Sequence, residues 1–413
     1  MKAVVFNLGC KVNQYESDML GENLTRLGYD VSYALEPADV YILNTCAVTA
    51  EAERKSRQAV ARCRTLNSQA KIFVCGCASQ KSASSFKKDN VVFVAGATNK
   101  SEIIDHLVDI TYSEDIGAFP SSYEEGGVSI PNRTRAYVKI QDGCDNFCSY
   151  CVIPYLRGRS RSRQISDVVE EVKRLADNTS EIVLIGINLM SYGRDVGSDL
   201  TALIKALGDV PTRIRFGSFY AEGITEDLLE ALFSLKNFCP HFHLSLQSGD
   251  AKVLKDMNRR YTPEVYKEKI ELIRKFDKNA CIATDVITGF PTETEENHRN
   301  TVDFIREVKF SDIHVFPFSA REGTRAGRLK PLPLDVVKRR RDELLKLKAN
   351  LRSEYEKASI GTEQQVLIEE SDGEFNVGYS QYYIRIYTRK GNLNEIVRCV
   401  PGEIYKDGLL EVL

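Results

Sequence analysis

The stretch AYVKIQDGCDNFCSYCVIP (Ala136–Pro154) decides the fold of this sequence. Its first six residues have the composition of a β-strand, and the loop after them holds Cys144, Cys148 and Cys151 in a C-x3-C-x2-C spacing. Iron–sulfur clusters normally take four cysteines, so a group of three leaves one iron open to another ligand. The alternative is a zinc site completed by a distant histidine, but none of the five histidines in the chain lies beside this loop.

Six strand-like runs follow one another between residues 136 and 318, with helical periods between them. The runs are Ala136–Gln141, Ile182–Ile187, Ile214–Phe219, His241–Leu246, Ile282–Thr288 and Ile313–Phe318. In the clearest helical period, Gln164–Ala176, the apolar residues share one stripe. Six βα units predict a partial (β/α)6 barrel, two units short of a full barrel, with its active site at the carboxyl ends of the strands. The cysteine loop follows the first of those ends.

A further group of βα units precedes this domain and predicts a flavodoxin- or Rossmann-like parallel sheet. Within residues 1–110, Tyr15–Leu27 has helical periodicity, and four apolar runs have the length of strands. These runs are Lys2–Asn7, Asp39–Asn44, Lys71–Val74 and Val91–Ala95. We therefore expect an α/β protein with several domains, which its length of 413 residues also favours.

The rest of the sequence divides into a linker, a long helix and a small β domain. Residues 111–135 are rich in Gly, Ser, Pro and Glu and predict the linker, whereas Leu334–Ala358 predicts the helix. The last segment alternates as strands without helical periods, which predicts a small β-barrel. The predicted domains are residues 1–110, 136–359 and 360–413.

Three cysteines of the first domain, Cys10, Cys46 and Cys77, each come just past the end of a predicted strand. Because the carboxyl ends of parallel strands meet at one crevice, these thiols can form a second three-cysteine site. The alternative is that they are buried as small apolar residues. Cys75 lies two residues before Cys77, but strand alternation places it on a face of the sheet, so we expect Cys77 to be the ligand.

Charge and composition narrow the classes of function. The chain has 56 Lys and Arg against 58 Asp and Glu, so a polyanion must be bound by a local basic patch. No apolar run is long enough to span a bilayer, and the first residues lack the features of a signal peptide. We therefore expect a cytoplasmic protein that makes no contact with membranes.

The cysteine loop after the first strand of a partial barrel resembles the radical S-adenosylmethionine superfamily. The resemblance implies that the open iron binds S-adenosylmethionine and that an electron from the cluster splits it to give a 5′-deoxyadenosyl radical. It also implies cofactor contacts from the loop and from later strand ends, although Gly186-Ile187-Asn188 stands where the family has Gly-Gly-Glu. The implied cofactor-binding residues are Tyr150, Gly186, Asn188, Gln247, Ser248 and Asp285.

Within that superfamily the domain order resembles the methylthiotransferases, which end in an RNA-binding TRAM domain. LGCKVNQYES (Leu8–Ser17), INLMSYG (Ile187–Gly193) and HLSLQSGD (His243–Asp250) resemble the branch that acts on threonylcarbamoyladenosine in tRNA. The resemblance implies two [4Fe-4S] clusters, each with three Cys ligands and one open iron, and the second cluster as sulfur donor or carrier. One S-adenosylmethionine then donates the methyl group, and a second supplies the radical that opens the adenine C2–H bond at position 37, in the anticodon loop. A reductant and a source of replacement sulfur are implied as further partners.

Two segments are candidates for RNA contact. YLRGRSRSR places Arg157, Arg159, Arg161 and Arg163 at every second position, which predicts a phosphate clamp, with a solvated turn as the alternative. In the last domain Tyr382 and Arg385 lie in a tyrosine-rich stretch suited to base stacking. Residues 361–413 carry five Lys and Arg against nine Asp and Glu, so any contact there must be local.

Three alternatives remain at this point. The same chemistry can act on isopentenyladenosine in tRNA or on an aspartate of a ribosomal protein. A non-catalytic RNA-binding protein with structural clusters is the alternative of a different class, and it predicts fully ligated clusters.

Overall fold

The structure is a computed structural model that describes residues 1–109, 111–123, 126–128 and 133–412. Part of the predicted linker, the predicted end of the first domain at residue 110 and the last residue lie outside the described residues. None of the helices in the described part is long and apolar enough to cross a membrane.

The first domain is a parallel sheet with strand order β2-β1-β3-β4-β5-β6. Its elements are β1 (Lys2–Asn7), α1 (Lys11–Arg26), β2 (Asp30–Ser32), β3 (Val40–Thr45), α2 (Ala50–Leu66), β4 (Lys71–Gly76), α3 (Cys77–Lys81), β5 (Val91–Ala95) and β6 (Ser113–Asp115). The order of the first five strands is that of flavodoxin-like folds, so the predicted fold class is confirmed. The sheet extends into the predicted linker, because β6 pairs with β5.

The second domain contains the six predicted strands side by side in chain order, with one additional short strand at the edge. Its strands are β7 (Arg135–Asp142), β8 (Arg161–Ser162), β9 (Glu181–Gly186), β10 (Arg213–Phe216), β11 (Ser218–Phe219), β12 (His241–Leu244), β13 (Cys281–Thr288) and β14 (Asp312–Pro317). The predicted run Ile214–Phe219 is divided at Gly217, whose N–H donates to the Leu184 carbonyl at 2.8 Å. Strand β8 pairs antiparallel with β7 and forms the edge.

Helices cover the outer face of this partial barrel, and their apolar stripes form one large core with the strands. They are α4 (Ile153–Arg157), α5 (Ile165–Ala176), α6 (Leu200–Leu207), α7 (Glu226–Ser234), α8 (Ala251–Asp256), α9 (Pro263–Phe276), α10 (Glu295–Val308) and α11 (Leu334–Ala358). The bounds of α11 are those predicted, and its Leu344, Leu347 and Leu351 are buried.

The last domain is a six-stranded sheet with the order β18-β15-β16-β17-β20-β19. Its strands are β15 (Gln364–Ser371), β16 (Asn376–Ser380), β17 (Arg385–Thr388), β18 (Ile396–Cys399), β19 (Pro401–Tyr405) and β20 (Gly408–Glu411). All its pairs are antiparallel except β17 with β20. A turn separates β16 from β17, and Tyr383 in this turn has φ +61°.

The first two domains share side chains across their boundary. Val12 and Tyr15 of α1 pack on Val183 and Ile185 of β9, so α1 lies against the inner side of the barrel. Helix α4 of the second domain places apolar side chains in the core of the first domain and packs against α3. The helix that follows the first cysteine loop therefore touches the helix that begins at Cys77.

Candidate iron–sulfur and cofactor site

The structure brings Cys10, Cys46 and Cys77 together at the carboxyl edge of the first sheet. Cys10 lies between β1 and α1, Cys46 follows β3, and Cys77 is the first residue of α3. The three thiols lie near one another, because Cys77 and Cys10 raise the pKa of Cys46 and Cys10 raises the pKa of Cys77. Cys10 and Cys46 follow β1 and β3, the neighbouring strands between which the strand order reverses, and ligands of flavodoxin-like sheets bind at that point.

The backbone of one glycine and the side chains of two asparagines shape this edge. Gly76 has φ +106°, and a Cβ there would lie 2.4 Å from the Thr45 carbonyl oxygen, so only glycine lets α3 start directly after β4. Asn13 Nδ2 donates to Asn44 Oδ1 at 2.9 Å, and Asn44 Nδ2 donates to the Asn13 carbonyl at 2.8 Å. These reciprocal bonds hold the loop that carries Cys10 against the strand that carries Cys46.

Cys75 lies apart from this group. It is in β4 and is fully buried in an apolar cluster with Val5 and Phe73 on one face of the sheet. Burial raises the pKa of its thiol to about 12. This position supports the prediction that Cys77, at the end of the strand, is the ligand.

The loop after β7 gathers the other three cysteines. Cys144 and Cys148 are buried and Cys151 is half-buried. Gly143 has φ +71° with its Cα next to the Arg159 carbonyl, and the Cys144 N–H donates to the Gly158 carbonyl at 3.1 Å. The loop therefore folds back on the segment after α4, which fixes where the three thiols point.

One residue that sequence reasoning missed faces this loop. The Arg259 guanidinium donates to Cys148 Sγ at 3.6 Å and lies over the rings of Tyr220 and Tyr261 at 4.4 and 4.8 Å. The guanidinium places a buried positive charge beside the loop, which suits a negatively charged cluster held there. No local motif marks Arg259, because it reaches the loop from a segment 111 residues further along the chain.

The chemistry of both groups fits iron–sulfur clusters. Burial raises the pKa of Cys46 to about 11 and that of Cys151 to about 12, and it also raises the pKa values of Cys77 and Cys144. Such thiols stay protonated until a metal replaces the proton. Among the described residues, no three His, Cys, Asp or Glu side chains converge on a point suited to one metal ion. Each group of three thiols could instead hold an iron–sulfur cluster, which would supply electron transfer at this site.

Arg157 connects the chain segments that carry the two cysteine groups. It ends the short helix after the first cysteine loop and is fully buried, where it donates to Glu16 Oε1 at 2.8 Å, to Asp142 Oδ2 at 3.0 Å and to Asn13 Oδ1 at 2.8 Å. Arg157 also lies near enough to Cys77 to counteract the rise in the pKa of that thiol. Its buried Nε–H finds no acceptor within the described ranges, so a cluster sulfur bound at Cys77 can supply one.

More cations than carboxylates surround this arginine. Lys139 Nζ lies 2.8 Å from both Glu16 and Asp142, Lys100 pairs with Glu16, and Arg161 lies 3.5 Å from Asp142. Four buried cations, Arg157 included, therefore face two buried carboxylates. Burial opposes ionisation of Glu16, but its cationic neighbours lower its pKa well below the ordinary value. The excess positive charge suits thiolate-bound clusters, which are negative.

The predicted cofactor-binding residues lie along the carboxyl end of the barrel. The Tyr150 ring packs with Met257 and Phe290, and Gln247 has φ +72° at a bridge to β13. Gly186 ends β9, and the buried Asn188 leaves its Oδ1 without a partner among the described residues. The other two make protein contacts: Ser248 hydrogen-bonds Thr301 at 3.1 Å, and Asp285 hydrogen-bonds His243 at 3.2 Å.

The predicted arginine clamp is wrong for three of its four residues. Arg157, Arg161 and Arg163 are buried, and Arg163 pairs with Glu171 inside the protein. Each of them has a carboxylate partner inside the protein, so they do not form a phosphate-binding surface. Only Arg159 remains, with a side chain that is 73% exposed and 3.1 Å from Asp145.

The predicted RNA contacts of the last domain are also occupied by protein. Tyr382 packs against the core of its own domain, and its carbonyl accepts from the Tyr355 hydroxyl at 3.2 Å. Arg385 pairs with Glu370 at 2.6 Å and with Asp407 at 3.4 Å. Neither side chain is free on the surface.

The chain is similar to known proteins over most of its length. Residues 138–305 match the Radical SAM superfamily, and residues 2–96 match a family described as uncharacterized protein family UPF0004. The threonylcarbamoyladenosine tRNA methylthiotransferase MtaB of Thermotoga maritima is 37% identical over 93% of this chain and 91% of its own. A tRNA-2-methylthio-N(6)-dimethylallyladenosine synthase of Pelotomaculum thermopropionicum is 33% identical over 98% and 93%.

A solved structure shows a similar fold at much lower identity. The cobalamin-dependent S-adenosylmethionine radical enzyme OxsB, with aqua-cobalamin bound, has a TM-score of 0.51 and 12% sequence identity. The match covers 85% of this chain and 56% of that chain.

Proposed function

Because the chain belongs to the radical S-adenosylmethionine tRNA methylthiotransferase family, we propose that it transfers a methylthio group to C2 of threonylcarbamoyladenosine at tRNA position 37. One observation carries the proposal: a single buried arginine, Arg157, donates to Asp142, two residues before Cys144, and to Asn13, three residues after Cys10. A radical generated at one cluster and sulfur held at the other must meet at one substrate atom. Two groups whose chain segments are connected by one side chain meet that requirement.

The clusters, once bound, supply a reducing electron and an open iron for S-adenosylmethionine at Cys144, Cys148 and Cys151, and a sulfur carrier at Cys10, Cys46 and Cys77. The protein supplies position and charge. Arg157 ties the cysteine loops together, and Arg259 donates toward Cys148. Four of the six thiols are buried, whereas Cys151 is half-buried and Cys10 is exposed, so the second group is open to a substrate at Cys10.

The cofactor pocket is proposed to use the strand-end residues described above. Tyr150 is placed to pack on the adenine of S-adenosylmethionine, and the unpaired Asn188 Oδ1 is an acceptor for its amino group. Gly186 and Gln247 supply backbone close to the cofactor, whereas Ser248 and Asp285 shape the pocket through their protein contacts.

The relatives divide over the substituent on N6 of the adenine. Several relatives are named for threonylcarbamoyladenosine. Among them are those of Thermotoga maritima and Bacillus subtilis, at 37% and 35% identity. Others are named for dimethylallyladenosine, at 33% and 35%. We assign the threonylcarbamoyl substrate to this chain, with the dimethylallyl (isopentenyl) substrate as second candidate.

The partners follow from this assignment. The substrate is tRNA, and the reaction consumes S-adenosylmethionine, a reductant and a source of replacement sulfur. Arg159, exposed beside the first cysteine loop, is the proposed phosphate contact that remains from the arginine run. The protein is proposed to act in the cytoplasm, where tRNA is modified.

Mass spectrometry of nucleosides from tRNA of the source cells, with and without this gene, tests the function. We expect deletion to remove 2-methylthio-threonylcarbamoyladenosine and to leave its unthiolated precursor in excess. Loss of the isopentenyl counterpart instead would keep the chemistry and change the substrate. An unchanged tRNA profile would contradict the proposal and favour a protein substrate or a non-catalytic role.

A further inference from the structure

The start of α1 faces the inside of the barrel. Val12 and Tyr15 pack on the inner faces of Val183 and Ile185, so the residue before them, Lys11, stands at the edge of the lumen. Lys11 directly follows Cys10 in the chain. Its amine lies within electrostatic reach of Cys10 and of Arg135, Glu181 and Arg215 on the inner strands.

Lys11 is a cation without a protein partner. Among the residues that the structure describes, no carboxylate forms an ion pair with it and no acceptor hydrogen-bonds its amine. Water reaches the side chain, and Arg215 and Arg135 lie close enough to act on its charge. Among the described residues, Lys11 is thus a water-accessible amine without an ion-pair partner, in a region with two other cations.

The floor of the lumen adds positive charge. Arg135, Arg213 and Arg215 surround the buried Glu181, and Arg135 also pairs with Glu369, so three cations face two carboxylates. Each of these groups already has a protein partner. A negative group entering the lumen therefore meets a favourable potential from the floor, and Lys11 has no ion-pair partner among the described residues.

His241 supports this interpretation of the lumen floor. It stacks on Tyr383 with ring centroids 4.6 Å apart, and burial, Arg215 and Lys11 keep its pKa well below the ordinary value. The ring is therefore neutral and does not compete with Lys11 for an anion. Its buried Nδ1 has no partner in the described part of the chain.

We propose that Lys11 binds the carboxylate of the threonylcarbamoyl group and thereby selects this substrate over isopentenyladenosine. This proposal rests on the proposed function. The threonyl part of the substituent ends in a free carboxylate, which forms a charge-assisted hydrogen bond with an ammonium group. An isopentenyl group is apolar and would bury the ammonium without pairing it, which is unfavourable. Because Lys11 adjoins Cys10, the same contact holds the adenine beside the second cysteine group.

The test compares two RNA stem-loops with the reconstituted protein: one carries threonylcarbamoyladenosine, and the other carries the same nucleoside with its carboxylate converted to a primary amide. For the unaltered protein we expect kcat/KM to be at least about tenfold higher with the carboxylate. In Lys11→Met this preference should disappear, and Lys11→Arg should restore most of it. Lys55→Gln, which changes a lysine that is 63% exposed on α2, is the matched control and should keep the preference.

The outcomes separate the two proposals. If the unaltered protein modifies neither RNA, the proposed function fails. If it modifies both with equal kcat/KM, the function stands and the role of Lys11 is wrong, whatever the variants do. Equal losses on both RNAs in Lys11→Met, with the preference kept, would mean that Lys11 serves the cluster at Cys10 instead; iron content measured on the same samples would register that change.

Discussion

At the scale of single residues, Cys75 and Cys77 differ in function although only one residue separates them. Cys75 fills the apolar face of β4, whereas Cys77 stands at the end of the strand with Cys10 and Cys46. We expect Cys77→Ala to lose one cluster, about four of roughly eight irons, and to keep reductive cleavage of S-adenosylmethionine while it stops methylthiolation. Cys75→Ala should keep all the iron. Iron analysis and deoxyadenosine assays check both, and the reverse pattern would mean that Cys75 is the ligand.

Arg157 and Arg159 give a second comparison of near neighbours. Arg157 is buried among carboxylates, and its removal leaves Glu16 and Asp142 with one cation fewer. We expect Arg157→Met to lower the free energy of unfolding by about 3–5 kcal/mol. Arg157→Lys should also be destabilised, because an ammonium cannot reproduce the forked contacts.

The exposed Arg159 is the matched control for this experiment. Arg159→Met should change the free energy of unfolding, measured by urea denaturation, by less than about 1 kcal/mol. It should instead weaken tRNA binding at low salt, since Arg159 is the proposed phosphate contact. Equal stability of the two variants would contradict the role given to Arg157.

The cysteine groups could be predicted from sequence, but the arginines could not. Each cysteine follows a strand end, and a period-2 or apolar pattern locates such ends. The arginine run also has period 2, yet Arg157 pairs with Glu16, 141 residues away, and no local pattern reports that partner. The same long-range pairing buries Asn13, Gln14 and Glu16, so α1 begins four residues earlier than its apolar period predicts.

At the scale of elements, the junction between β4 and α3 controls where Cys77 lies. Gly76 combines a positive φ with a Cα that almost touches the Thr45 backbone. We expect Gly76→Ala to lose about half of the iron, because α3 must move away from β3 to make room. Gly28→Ala is the matched control: its φ is +84°, but a Cβ there would meet no atom within 4 Å.

Gly28→Ala shows the effect of a positive φ alone, without the steric clash that a Cβ at Gly76 makes with the Thr45 backbone. Gly28→Ala should cost about 1 kcal/mol in the free energy of unfolding and keep its full iron content. Iron analysis after reconstitution, together with urea denaturation, measures both variants. Full iron content in Gly76→Ala would show that the junction does not position the ligand.

Elements of one domain were predicted more reliably than the contacts between domains. The six barrel strands and α11 follow from periodicity alone, since each buries its own apolar stripe. The packing of α1 on β9 and of α4 on α3 depends on which surfaces remain apolar after each domain has folded. Strand β6 has only three residues without apolar alternation, so composition predicts a linker there.

At the scale of the whole molecule, Glu181 holds the barrel and the last domain together. Burial opposes its ionisation, but Arg215, Arg213 and Arg135 lower its pKa to about 2. Two of these arginines also donate to last-domain carbonyls, Arg213 to Gln365 and Arg215 to Ser380. The Glu181 charge therefore stabilises three cations on which the domain interface depends.

The lowered pKa predicts how stability depends on pH. The native state keeps Glu181 ionised below the unfolded value of about 4.5, so its contribution is complete above that pH and is lost as pH falls toward about 2. Glu181→Gln should lower the free energy of unfolding by about 3–5 kcal/mol at pH 7, and this deficit should shrink between about pH 4.5 and pH 2. Urea denaturation of iron-free protein measures it.

The matched control for Glu181 is Glu170→Gln on α5, since the Glu170 side chain is 80% exposed. That variant should change the free energy of unfolding by less than about 1 kcal/mol at any pH in this range. A pH-independent deficit in Glu181→Gln would mean that the carboxylate acts through its shape and hydrogen bonds alone.

The central claim is that two joined cysteine groups let one protein both generate a radical and insert sulfur into tRNA. The most direct test supplies reconstituted protein with S-adenosylmethionine, a chemical reductant and a stem-loop carrying threonylcarbamoyladenosine, followed by mass spectrometry of the nucleosides. We predict 2-methylthio-threonylcarbamoyladenosine together with 5′-deoxyadenosine, and 5′-deoxyadenosine alone from Cys77→Ala. Cleavage of S-adenosylmethionine by the unaltered protein without any methylthiolated nucleoside would contradict the account.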